Sequence, residues 1–99
     1  MKRSRVIVPW PEGLHLRPAA KLVRVVQGFR SRVVLKCGDR IADVRSIVNL
    51  IALCATLGMS LDLEVVGEDE QDAVAAVEQV FAGADTEAGA SGGQPIRGG

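Results

Sequence analysis

His15 is the single histidine in a chain of 99 residues. It stands in the run Gly13-Leu14-His15-Leu16-Arg17-Pro18-Ala19-Ala20. The ordinary pKa of an imidazole, near ~6.5, leaves a good fraction of it neutral and nucleophilic at neutral pH. Two residues on, Arg17 carries a guanidinium whose fork matches the oxygens of a phosphate. A histidine so placed could take a phosphoryl group and pass it on. The same pair also suits an ordinary surface histidine beside a common arginine. The elements that position the two side chains therefore matter.

Val6-Ile7-Val8 is a short β-branched run closed by Pro9, and Pro11 and Gly13 mark a loop after it. Beyond the loop, Ala19, Leu22, Val23 and Val26 fall at helical spacing. Pro18 suits the first turn, where the N–H it lacks would have had no partner. His15 then lies at or near the N-cap of a helix over 16–27. Free N–H groups and the macrodipole favour negative charge at such a terminus. The amides of Leu16 and Arg17 should point at whatever the imidazole carries, with no metal needed. Helix capping alone remains the other reading.

The motif Gly13-Leu14-His15-x-Arg17-Pro18-Ala19 resembles the active-site motif of the HPr family, the histidine-containing phosphocarriers of the bacterial sugar phosphotransferase system. Ser46-Ile47 before an apolar helix resembles that family's regulatory serine, at the expected distance from the histidine. Gly67-Glu68-Asp69-Glu70-x-x-Ala73-Val74 is similar to its last strand-to-helix turn. The likeness covers roughly residues 4 to 82, and three motifs in register are more specific than any one.

Charge is unevenly spread. Residues 1–45 carry eleven Lys/Arg against three acids, and residues 46–99 carry one arginine against nine. The basic half contains His15 and would steer an acidic partner, unless the fold mixes the two halves. There is no basic tract with stacking aromatics, so nucleic acid is not an expected partner. No apolar run reaches the ~18 residues of a membrane span. Lys2, Arg3 and Arg5 precede no signal-peptide segment, and a cytoplasmic location follows. Cys37 and Cys54 lack metal-ligand spacing and read as small buried residues rather than as a disulfide. Neither a metal nor a cofactor is expected.

Taken in order, Arg5 to Val8 reads as the first strand. Trp10 either packs beside the site or fills a gap in the core, the second being favoured. Glu12 stands where HPr-like sequences often have an uncharged polar residue. A carboxylate close to the ring would favour the imidazolium and repel a phosphoryl group, and one turned away would do neither. The first helix buries Ala19, Leu22, Val23 and Val26 and presents Arg17, Ala20, Lys21 and Arg24, with Gly28 as a left-handed C′ residue. That outer side is either an ordinary solvated basic face or a close approach for a partner helix, with Ala20 and Arg24 as contacts. Arg32–Cys37 and Ile41–Val44 form a hairpin around Gly38-Asp39-Arg40.

Ser46 caps a short helix over 47–53. Leu50, Leu53, Cys54 and Leu57 can be buried together, leaving Ile47, Val48 and Ile51 partly outside as a docking patch, and Gly58 breaks the helix. Asn49 stands where the family often has lysine. Ser60 to Val66 alternates as a fourth strand with Leu61, Leu63 and Val65 inward. Glu68 to Glu70 start the last helix, whose core stripe is Val74, Val77, Val80 and Phe81 and which ends near Gly83. Residues 84–99 are Gly-, Ala- and Ser-rich and read as a disordered tail, leaving 1–83 as one domain. The order βαββαβα argues an α+β fold, a four-stranded antiparallel sheet covered on one face by three helices. The family's fold is this open-faced β-sandwich.

The resemblance implies that phosphorylated Enzyme I hands its phosphoryl group to His15, which passes it to an Enzyme IIA domain of sugar or nitrogen type. Arg17 and the amides of Leu16 and Arg17 would hold the phosphate. Leu16, Ala20, Arg24, Ile47, Val48 and Ile51 would meet partners, and Ser46 would be regulated by a serine kinase/phosphorylase. A monomeric carrier, not a freestanding enzyme, is the expectation. The alternative is a regulatory binding module in which phosphorylation of Ser46 drives association with a transcription factor or kinase. A freestanding enzyme with His15 as general base lacks an evident substrate pocket.

Overall fold

The computed structural model describes residues 1–83, and the tail expected over 84–99 lies outside them. The elements are β1 (Lys2–Ile7), α1 (Leu16–Val26), β2 (Arg32–Cys37), β3 (Arg40–Asp43), α2 (Ile47–Ala52), β4 (Ser60–Val66) and α3 (Glu70–Ala82). The strands make one antiparallel sheet in the order β1-β4-β2-β3. With three helices, this is the expected α+β architecture.

Period-two alternation gives the sheet two unlike faces. Val6, Val33, Leu35, Ala42, Leu61, Leu63 and Val65 are buried. The helices supply Ala19, Leu22 and Val26 from α1, Leu50 from α2, and Ala73, Val77, Val80 and Phe81 from α3. Val23 and Val74, expected in the core, are only partly buried at its margin. Trp10 is buried, its ring centroid 5.0 Å from that of Phe81, so it fills the core as favoured from the sequence.

Cross-strand ion pairs join Arg5 to Asp62 at 3.2 Å, Arg3 to Glu64 at 3.7 Å and Lys36 to Glu64 at 3.2 Å. The basic and acidic halves therefore interleave, because β1 and β2 both flank β4, and the charge separation along the chain is largely mixed by the fold. Such pairs are worth at most ~1 kcal/mol each at the surface, so the apolar face carries the stability. Arg17, Lys21 and Arg24 on α1 have no ion pair among the described residues. They keep a basic face next to His15.

Several boundaries differ from the sequence expectation. β1 starts at Lys2 rather than Arg5, because β4 offers backbone partners as far as the pair Lys2 and Val65. Arg40 belongs to β3, so the hairpin turn is Gly38-Asp39 alone. Gly28 is not left-handed. Instead α1 closes through short turns, the Gly28 amide donating to the Val25 carbonyl at 3.2 Å and the Phe29 amide to Val26 at 3.0 Å. α2 ends at Ala52, and the chain leaves it at Cys54 (φ +55), before Gly58. The expected joint burial of Leu50, Leu53, Cys54 and Leu57 holds for the first two only. The turn at Cys54 puts its side chain and that of Leu57 in solvent. Cys37 is half-buried, and both cysteines are free thiols.

Candidate functional site

His15 is the N-cap of α1, with extended backbone (φ −96, ψ −170) and a side chain that makes no capping hydrogen bond. Its carbonyl oxygen accepts from the Ala19 amide at 3.0 Å, the first bond of the helix. The imidazole is thus at the positive end of α1, half-exposed and unspent on capping. The Leu16 and Arg17 amides have no hydrogen-bond partner among the described residues, and Arg17 is exposed. Two unpartnered donors at the start of the helix, with an exposed arginine two residues past the imidazole, suit an anion carried on that ring.

The loop that presents His15 is held from behind. Leu14 is buried, and its amide donates to the Ala55 carbonyl at 2.9 Å. Gly13 has φ +78, and a Cβ there would lie 2.4 Å from the same carbonyl oxygen. Only glycine combines that conformation with so close an approach. The Gly13 amide donates to the Trp10 carbonyl at 2.8 Å, and the Gly58 amide to Val8 at 2.9 Å. The segment after α2 and the segment before α1 therefore clasp each other. Sequence reasoning took Gly13 as a loop marker and missed its contact with Ala55. The signal is present as a glycine two residues before the histidine, but its partner, Ala55, is distant in the chain.

Glu12 is exposed, and its Oε1 lies 3.7 Å from His15 Nε2. The direction left open by the sequence is resolved toward the ring.

Ser46 is the N-cap of α2, its hydroxyl accepting from the Asn49 amide at 3.1 Å. Asn49 has a structural task as well, its Oδ1 accepting from the Asp43 amide at 3.3 Å. α1 and α2 pack together, and Leu16, Val48 and Ile51 are exposed on them by 65%, 75% and 40%. Ile47 is half-buried against the core and Ala20 half-buried on α1, so Val48 and Ile51 carry most of the exposed apolar surface of α2.

The third motif does more than meet a helix dipole. The Asp69 carboxylate accepts from the Arg30 and Ser31 amides, each at 2.9 Å, and from the Ser31 hydroxyl. The Ser31 hydroxyl bond, then the Arg30 amide, holds the Asp69 carboxyl below its ordinary range. The Gly67 amide, donating to Glu70 Oε1 at 3.0 Å, does the same for Glu70. Asp69 spans the start of α3 and the entry to β2, a long-range link that no local pattern announces. Among the described residues no group of three or more His, Cys, Asp or Glu could hold a metal ion, and no helix is long and apolar enough to cross a membrane.

Comparison with known proteins agrees with this geometry. The family described as "PTS HPr component phosphorylation site" matches residues 2–83. The phosphocarrier protein HPr of Haemophilus influenzae is 40% identical over 62 residues, covering 63% of this chain and 73% of that protein. The phosphoryl donor subunit DhaM of the PEP-dependent dihydroxyacetone kinase of Providencia stuartii is 36% identical over 74 residues, 75% of this chain. The chain spans only 16% of that relative's length and 8% of another's. Among solved structures, HPr from Thermoanaerobacter tengcongensis superposes with a TM-score of 0.80 at 26% identity, covering 84% of this chain and 93% of that one.

Proposed function

The chain belongs to the HPr family of phosphotransferase-system phosphocarriers, and we propose that His15 takes its phosphoryl group from phosphorylated Enzyme I and passes it to an Enzyme IIA domain of sugar or nitrogen type. The observation that carries this reading is the half-exposed, uncapped His15 ring at the start of α1, beside the free amides of Leu16 and Arg17. Nδ1 is the ring nitrogen nearer the backbone, and Nε2 is the one beside Glu12. Nδ1 is therefore the atom suited to carry the group. Its lone pair attacks phosphorus while the bond to the donor breaks. Arg17 and the two amides then meet the phosphoryl oxygens. The second transfer repeats the displacement with the acceptor's nucleophile.

Leu16, Ala20, Arg24, Val48 and Ile51, with the margin of Ile47, form the surface on which both partners dock in turn. Arg17, Lys21 and Arg24 favour an acidic partner face. Ser46 is the regulatory position. A phosphate on it, put there by a serine kinase and removed by a phosphorylase, would add a charge of about −2 beside Val48 and weaken docking of Enzyme I. The protein acts as a cytoplasmic monomer without a cofactor, as a carrier consumed and regenerated by its partners rather than as an enzyme in its own right.

Incubation with phosphoenolpyruvate and Enzyme I tests this. The expected product is an acid-labile, base-stable phosphate that His15→Ala abolishes. If an acid-stable phosphate on Ser46 is the sole modification that forms, the protein is a regulatory module and the carrier reading fails.

A further inference from the structure

Glu12 is the one acidic side chain in the loop that presents the histidine, and it faces the ring edge opposite the atom assigned to the phosphoryl group. Its Oε1 is 3.7 Å from Nε2, beyond a formed hydrogen bond yet within reach of one, since its side chain is 79% exposed and free to turn. Glu12 has no other ion pair or hydrogen bond among the described residues. Its backbone, by contrast, is held: Pro9 and Pro11 stiffen the loop, Trp10 is buried, and the Gly13 amide closes onto the Trp10 carbonyl. That fixed base keeps the carboxylate within reach of the ring. The other charged group of the site, Arg17, lies on the far side of His15 in sequence and is not paired with Glu12.

We propose that Glu12 is a positioning residue that holds the proton of the His15 ring on Nε2, leaving Nδ1 as the phosphoryl-carrying atom and priming the phosphohistidine to release its group. The proposal rests on the carrier reading for its purpose, though its first half concerns the ring alone. In the neutral ring, a carboxylate accepting from Nε2–H selects that tautomer, and Nδ1 keeps the free lone pair. In the phosphorylated form the same carboxylate stabilises Nε2–H on a ring whose Nδ1 bears phosphorus. When an acceptor nitrogen attacks phosphorus, its lone pair forms the new P–N bond. The Nδ1–P bond breaks and its electron pair returns to Nδ1. The ring departs as neutral imidazole because the proton stays on Nε2. Without that proton it would have to leave as imidazolate, a far poorer leaving group. Repulsion between the carboxylate and the phosphoryl group is moderated because the ring separates them and both face water.

The test compares wild type with Glu12→Gln, Glu12→Ala and Glu12→Asp, each phosphorylated chemically with phosphoramidate so that no partner enzyme is needed. Unchanged circular dichroism is expected, since Glu12 is exposed. In ¹⁵N spectra of the unmodified protein, the Nε2–H tautomer should dominate in wild type and lose ground in the Gln and Ala variants. Their phosphohistidine should hydrolyse more slowly by about two- to fivefold, the size that goes with an exposed charged pair, and Glu12→Asp should recover part of the difference. Equal tautomer populations and equal hydrolysis rates in wild type and Glu12→Ala would overturn the proposal. Failure of Enzyme I to phosphorylate a protein that phosphoramidate does phosphorylate would overturn the carrier reading instead and leave these measurements intact.

Discussion

The Leu14 amide and the Ala55 carbonyl, 2.9 Å apart, join the loop before α1 to the segment after α2. His15 is the next residue, so the position of the imidazole depends on a contact forty residues away. Gly13 lies against the same carbonyl with φ +78. Gly13→Ala should therefore cost about 2–4 kcal/mol, from a left-handed alanine and a Cβ driven into Ala55. Urea denaturation reads that loss. Under conditions where the variant is still folded, phosphoryl transfer from Enzyme I should fall by about tenfold or more, since small displacements of a reacting group are expensive.

Arg17 is exposed and forms no ion pair among the described residues, so its removal should not disturb the fold. Arg17→Ala should change stability by less than about 0.5 kcal/mol. It should slow transfer through His15 by about tenfold, the value of one charge-assisted hydrogen bond to the phosphoryl group. Arg17→Lys keeps the charge without the fork and should fall between the two. Quench-flow with radiolabelled phosphoenolpyruvate separates these cases.

Val48 offers the largest apolar exposure on α2. Val48→Glu should leave the circular dichroism and thermal melt unchanged while raising the KM for Enzyme I by about tenfold, the loss of one buried aliphatic side chain at a docked surface. Ser46→Asp remains a competent cap and should act in the same direction, more strongly at low salt.

Asp69 gives the fold an acid-sensitive fastening. Hydrogen bonds from Ser31 and Arg30 hold its folded pKa below the unfolded value, so its contribution is complete above the ordinary carboxylate range. That contribution fades as pH drops below about 4 and on through the lower folded value. Asp69→Asn should lower Tm by about 5 °C or more at pH 7, because an amide cannot accept from all three donors. The gap between wild type and variant should narrow as pH falls from about 5 to 3. Calorimetry across that range is the check.

Much of this site can be read in the chain because its determinants are local. Pro18, the helical spacing of Ala19, Leu22 and Val26, and the single histidine ahead of them place the N-cap without any distant partner. Ser46 is legible for the same reason. What escaped was non-local or geometric. Lys2 to Ser4 have no strand pattern and become strand because β4 lies beside them. Cys54 leaves α2 in a left-handed turn that no glycine marks, and it carries Leu57 out of the core. Asp69 looks like one acid among three at a helix start, and only its contact with Ser31 shows its task. The charge asymmetry points to a field that pairing of β1 and β2 with β4 partly offsets, at Arg3, Arg5 and Lys36, while Arg17, Lys21 and Arg24 on α1 keep their charge unpaired among the described residues.

The tilted contact of Trp10 with Phe81 has a practical consequence. The chain has one tryptophan and no tyrosine, so its ultraviolet emission comes from an indole set five positions before the histidine and resting on α3. Unfolding should shift that emission to the red as water reaches the ring. Any rearrangement of the loop on phosphorylation or docking should alter its intensity without a label. The molecule thus carries a native optical reporter between its core and its reactive end.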